Sequence, residues 1–284
     1  MTPDWNRLLS ASSYRYSMGL RRVGPASFWS PWDPAGRLLR ERERWLQASP
    51  SLFRACLDGH DNSRYEALAW MQRFATRPEP DWLVLQGSAG EEPRLVAGEV
   101  VFPSSWSLPA KLGLPMSAIH QPVPGLEESL GAGIAAFLQK LQPGVCFGRE
   151  NWGLSADDAL NHHPAFKGPG PGPQATLETT WVRLEHQFLT RLEKSGAILF
   201  GIRVSCHRLD AVTRDQDVRR GMHRALMTMH DSLASYKGLL SCRPALLTQL
   251  AEPAQAQPMM IKQDQGRHHQ GSGDGGPTAR PSQK

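Results

Sequence analysis

Five prolines, at 103, 109, 115, 122 and 124, fall within residues 103–124, and no other part of the chain restricts its own fold as sharply. Each one locks φ and removes an amide donor. The segment is therefore kept out of helix interiors and central strands and must run as an irregular, pre-shaped wall. Set into it are Trp106, Lys111 and a lone His120, followed at once by the stiff Pro122-Val123-Pro124. A side chain held in this way has little freedom to lose on binding a metal or a substrate. The wall reads as one side of a pocket, with His120 either a metal-ligating imidazole or a loop histidine bonded to a carbonyl.

Regular structure is expected on both sides of the wall. Asp33-Pro34 has the form of a helix start, with Leu38, Leu39, Trp45 and Leu46 on one face. Ser63 and Glu66 have capping-box spacing ahead of Leu68 and Ala69, and Pro78 and Pro80 stop that helix. Residues 126–141 carry an apolar stripe at helical spacing, with Gly131 and Gly133 leaving room for a close neighbour or a flat ligand; residues 216–236 carry a second stripe. Strands are expected at 81–86, 94–102, 179–184 and 197–205, the first two as a hairpin. Helices before and between such strands define an α+β fold with a mostly antiparallel sheet and flanking helices.

Several side chains stand out chemically. Arg149-Glu150-Asn151-Trp152 follows the apolar Val145-Cys146-Phe147; its Arg either holds an anionic group or sits in a surface salt bridge, and Trp152 either packs on a ligand or belongs to the core. Trp181, Arg183 and Glu185 alternate on a strand and share a face. Glu185 either meets a ligand in the pocket or pairs with Arg183. Arg203, between Ile202 and Val204, either reaches solvent from an edge or meets an anion in the pocket. His162-His163, and His223 with His230, lack the i, i+4 spacing of a helical metal pair.

Other chemistries are disfavoured. With 284 residues, 40% of them hydrophobic, the chain can bury a sizeable core, expected over residues 1–252. Residues 253–284 turn to Gln, Gly, Pro and Ser and are expected to be a disordered tail. The net charge of +5 includes four basic and two acidic residues of that tail and elsewhere forms no basic run, so nucleic acid is not an expected partner. Residues 1–17 lack an apolar signal core and no stretch approaches the roughly 20 apolar residues of a membrane span, which points to a cytoplasmic protein that does not enter a membrane. Cys56, Cys146, Cys206 and Cys242 have no metal-ligand spacing and read as reduced thiols. No glycine-rich dinucleotide or phosphate loop and no GxSxG elbow occurs.

Taken in order, Met18-Gly19-Leu20, Phe102-Pro103-Ser104-Ser105-Trp106, Lys111-Leu112-Gly113, Ile119-His120-Gln121-Pro122-Val123-Pro124, Arg149-Glu150-Asn151-Trp152 and Arg183-Leu184-Glu185-His186-Gln187 resemble the haem-dependent oxidative N-demethylase family. The likeness covers most of residues 14–210. His186 departs from it, standing where the family carries Arg. The resemblance implies a PAS-like sheet enclosing a haem pocket. It also implies haem b, with His120 as iron ligand, Arg149 and Arg203 on the propionates, Trp152 and Arg183 at the cofactor, and Glu185 on a small methylated amine. The implied partners are oxygen and a separate flavin or iron-sulfur reductase subunit, since this chain has no electron-carrying motif of its own. A PAS-like haem or small-molecule sensor without turnover is the alternative.

Overall fold

Two eleven-residue strands, Trp181–Arg191 (β6) and Ile198–Arg208 (β7), form the centre of the molecule as an antiparallel hairpin. Val182, Leu184, Phe188 and Leu199 are fully buried in it. The computed structural model describes residues 3–251 apart from 89, 167 and 169. Around the hairpin lie Arg21–Arg22 (β1), Arg54–Cys56 (β2), Asp81–Gln86 (β3), Arg94–Glu99 (β4) and Cys146–Ser155 (β5). The seven strands run in the order β1-β5-β6-β7-β3-β4-β2, and every neighbour is antiparallel. The α+β expectation holds, and so does the β3–β4 hairpin.

Alternation along the strands divides the buried side chains between two layers. On one side Leu154 and Val182 pack against the helices Gln216–Thr228, Asp231–Tyr236 and Arg243–Ala251. On the same side Phe188 stacks on Phe28 at 5.2 Å, beside Trp29. On the other, Leu83, Leu189, Ile202 and Val204 meet Ile119, Ile134 and Phe137 from the segment between β4 and β5. Buried Asp81 anchors the start of that segment: its carboxylate accepts from Val101 N at 2.7 Å, Phe102 N at 2.9 Å and Arg42 Nη1 at 2.6 Å.

Several local expectations change. The proline wall contains two single turns of helix, Leu108–Lys111 and Met116–His120, because Pro109 and Pro115 stand at or just before a first turn, where a missing N–H costs nothing. The first long helix spans Arg37–Ala48: Gly36 takes a left-handed φ of 67°, and Asp33 still caps from a distance by accepting from Leu38 N at 2.9 Å. The next spans Asp61–Gln72, and Glu66 makes no capping box; it accepts from Lys194 N and Ser195 N in the β6–β7 turn. Residues 126–141 open with a π turn, Glu127–Gly131, before the α-helix Ala132–Lys140, and Gly133 faces Met18. The expected helix at 216–236 breaks at Met229, after which His230 caps a separate helix. All of β5 was missing from the expected strands.

All four cysteines are free thiols. Among the described residues no helix is long and apolar enough to cross a membrane. The described residues belong to one compact unit. The tail expected over 253–284 lies outside the described residues.

Candidate functional site

β5 and β6 pair so that Arg149 lies opposite Gln187 and Asn151 opposite Glu185. Parity sends all four side chains to the layer that also holds Leu189 and Phe147. Glu185 Oε2 accepts from Gln187 Nε2 at 2.9 Å, and no described cation stands within 4.0 Å of the carboxylate. Arg149 is half-buried, and its Nε is sealed from solvent with no acceptor. Among the described residues its guanidinium has no hydrogen bond at all. Burial pulls its pKa down, opposed by the charge of Glu185.

His120 ends the turn Met116–His120, and its carbonyl accepts from Val123 N at 2.8 Å. The next carbonyl back, that of Ile119, takes the Lys111 ammonium at 3.2 Å, and that ammonium also lies 5.6 Å from the Trp106 ring centroid. The imidazole has no hydrogen-bond partner among the described residues. Burial first, then the charges of Lys111 and Arg149, hold it below the ordinary imidazole range, so it is neutral at pH 7. Burial likewise lowers Lys111.

The third component is the free edge of β5. β1 pairs only with Phe147 and Gly148, which leaves the outer edge without a sheet partner from Arg149 onward. The N-terminal segment covers it: Tyr14 packs edge-on against Trp152 at 6.1 Å and against Tyr16 at 6.2 Å, and Tyr16 donates to Pro124 O at 2.5 Å. Burial pushes the Tyr14 phenol up to about 12. From the other end of the chain Lys237 donates to Trp152 O at 3.0 Å. Burial lowers Lys237 while Glu185 acts to raise it, and Glu185 also raises Tyr236.

The site therefore gathers His120, Arg149 and Glu185 from the expected residues, and adds Tyr14, Lys111, Tyr236 and Lys237. Lys111 stood in a named block without a role. Nothing local to the sequence marked Tyr14 or Lys237, because only folding brings the two ends of the chain to β5.

The other expected residues lie elsewhere or are already satisfied. Arg183 shares the Glu185 face but does not pair with it. Its guanidinium donates to Ser104 Oγ and to the carbonyls of Phe102, Pro103, Ala159 and Leu160 at 2.6 to 3.1 Å, fastening the Phe-Pro-Ser stretch to the sheet. Arg203 faces the opposite layer, where it pairs with buried Glu79, donates to Phe28 O and Ser30 O, and lies 4.3 Å from the Trp32 ring. Trp152 turns to that layer as well. So does His186, set against Trp32 and 3.2 Å from Ser205 Oγ. A surface cleft of about 560 Å³ opens beside the His120 turn, lined by Ser117, Gln121, Pro124, Glu127 and Glu128, but none of the gathered residues lines it.

The donor set fits a haem. Among the described residues no three His, Cys, Asp or Glu side chains converge as a protein-only metal centre would require, whereas a haem asks the protein for one axial nitrogen. An imidazole without a partner, and a guanidinium whose sealed Nε lacks an acceptor, are groups of the kinds that would hold the iron and a propionate. Residues 44–247 match the family described as haem-dependent oxidative N-demethylase, alpha subunit-like, and the chain belongs to that family.

Proposed function

We propose that the chain is the haem-binding catalytic subunit of an oxidative N-demethylase system. It binds haem b, with His120 on the iron and Arg149, assisted by Lys111, on the propionates. The five central strands, antiparallel in the order β5-β6-β7-β3-β4, with helices inserted between β4 and β5, support a PAS-like description. The observation that carries the reading is Arg149, half-buried with a sealed Nε and no protein acceptor, whose charge acts on both a partner-free His120 and a Glu185 without an ion-pair partner.

When bound, haem supplies the oxygen chemistry and the electron transfers. The chain's own residues bind and orient. Gln187 holds Oε2 of Glu185, leaving Oε1 to receive the protonated nitrogen of a small methylated amine and later to take its proton. Tyr14 and Trp152 shield this edge from water. In the net reaction one oxygen atom enters the N-methyl group, which leaves as formaldehyde. The other becomes water with two protons and two electrons. The electrons come from a separate flavin or iron-sulfur subunit in the cytoplasm; the family's alpha-subunit description supports the existence of a partner subunit. Arg203 and Arg183 hold the scaffold that positions these groups.

The test is optical. Purified protein loaded with haem should show a Soret band that is lost or shifted in His120→Ala. Glu185→Gln should keep the band but lose amine-induced changes and turnover by about a hundredfold or more, since each 1.4 kcal/mol is about a factor of ten and breaking a desolvated charge pair costs about 3 to 5 kcal/mol. An unaltered band in His120→Ala removes His120 from the site. Amine oxidation at the parent rate in Glu185→Gln moves the carboxylate's role elsewhere.

A further inference from the structure

Glu185 and Lys237 approach the same edge from opposite directions and do not meet. The Lys237 ammonium is fastened to Trp152 O at 3.0 Å, and the residue before Trp152 is Asn151, which lies directly opposite Glu185. The acceptor of the ammonium thus stands one rung of the β5–β6 ladder from Glu185, close enough for the carboxylate's charge to act on the lysine and outside ion-pair distance. A lysine carries three donors on a flexible stem, so in a site poor in water it would ordinarily close onto a carboxylate this near. Here each is held back by a neutral group: Gln187 holds Glu185, and the Trp152 carbonyl holds Lys237. Two opposite charges kept apart in this way form the complement of a molecule that carries both.

Building on the function proposed above, we infer that the amine accepted at this edge is a zwitterion, an N-methyl amino acid, whose ammonium sits on Glu185 and whose carboxylate sits on Lys237. The distribution of cations supports this. Arg149 and Lys111 act on His120 and answer to the two propionates of a haem, whereas Lys237 acts with Glu185 and answers to neither. A simple dialkylamine would satisfy Glu185 and leave Lys237 without an anion in a half-buried position. Exposed Tyr236, adjoining Lys237 in sequence, leaves this end of the site open to a polar substrate.

Equilibrium calorimetry on the haem-loaded full chain tests the assignment with N-methylglycine, its amide N-methylglycinamide and dimethylamine. N-methylglycine should bind at least tenfold more tightly than the amide. Lys237→Met should reduce that preference to near unity, and Lys237→Arg should restore part of it. Equal binding of acid and amide by the parent protein overturns the inference, as does a preference that survives Lys237→Met in protein with full haem content. Because the parent comparison needs no variant, a misfolded Lys237→Met leaves the answer intact. Binding of dimethylamine without N-methylglycine rejects the zwitterion and keeps the demethylase reading, whereas haem-loaded protein that binds none of the three rejects both.

Discussion

A buried polar atom without a hydrogen bond costs about 1 to 3 kcal/mol, and the Nε of Arg149 is in that position. Arg149→Met should therefore leave the cofactor-free protein within about 1 kcal/mol of the parent or more stable, as urea unfolding would show. The same change should weaken haem retention at least tenfold in a transfer assay. Equal haem retention would assign the propionates to other cations. His186 makes a different prediction. Burial depresses its pKa to about 4, whereas an unfolded chain takes up that proton near 6.5. Its contribution is full above about pH 6.5 and is lost as pH falls toward 4, by of order 3 kcal/mol at most. His186→Asn should flatten that acid limb when urea midpoints at pH 7.5 and pH 4.5 are compared; superimposable limbs would point to another group. At this scale the sequence was readable where alternation decides direction, as for Arg183 and Glu185 on one face. It was silent about satisfaction. Arg183 meets carbonyls about eighty residues before it, and Arg203 meets Glu79 and the Phe28 carbonyl, partners that no local pattern reveals.

Elements hold the site through close approaches that propensity does not foresee. Gly221, inside the helix Gln216–Thr228, lies so near the N-terminal segment that an added Cβ would stand 2.5 Å from Leu9 O. Alanine would gain up to about 1 kcal/mol of helix propensity there, yet overpacking costs about 1 to 3 kcal/mol. Gly221→Ala should therefore be destabilising and should loosen residues 4–16, which carry Tyr14 to β5, as amide exchange would register. Unaltered exchange would mean the segment is held by other contacts. Element boundaries were legible to within a turn wherever an apolar stripe met a capping residue. They shifted where a glycine or a distant carboxylate competed: Gly36 delayed one helix, and Glu66 served the β6–β7 turn in place of its own. β5 escaped notice because Arg149, Glu150, Asn151 and Trp152 interrupt its apolar alternation. Arg149, which the proposal gives to a propionate, is among the residues that hide it as a strand.

For the whole molecule, the antiparallel sheet between helical layers followed from strand spacing and turn signals, since hairpins need only local chain. The position of β5 beside β6, and of Tyr14 and Lys237 beside β5, required long-range packing. Haem binding should consequently stabilise the fold as one unit, by about 2.7 kcal/mol at a free haem concentration a hundred times the dissociation constant, visible as a rise in Tm. A haem that binds without raising Tm would sit on the surface and not in this site. The free edge of β5 carries a further consequence. It is closed by residue 14 from one side and residue 237 from the other, so nothing shorter than almost the whole described chain can build the site. Contacts so distant along the chain form late. During synthesis, a chain still lacking Lys237 has its strands but no finished binding edge. A product ending before residue 237 would keep the His120 and Arg149 side that the proposal gives to haem and lose the Lys237 side that it gives to the substrate.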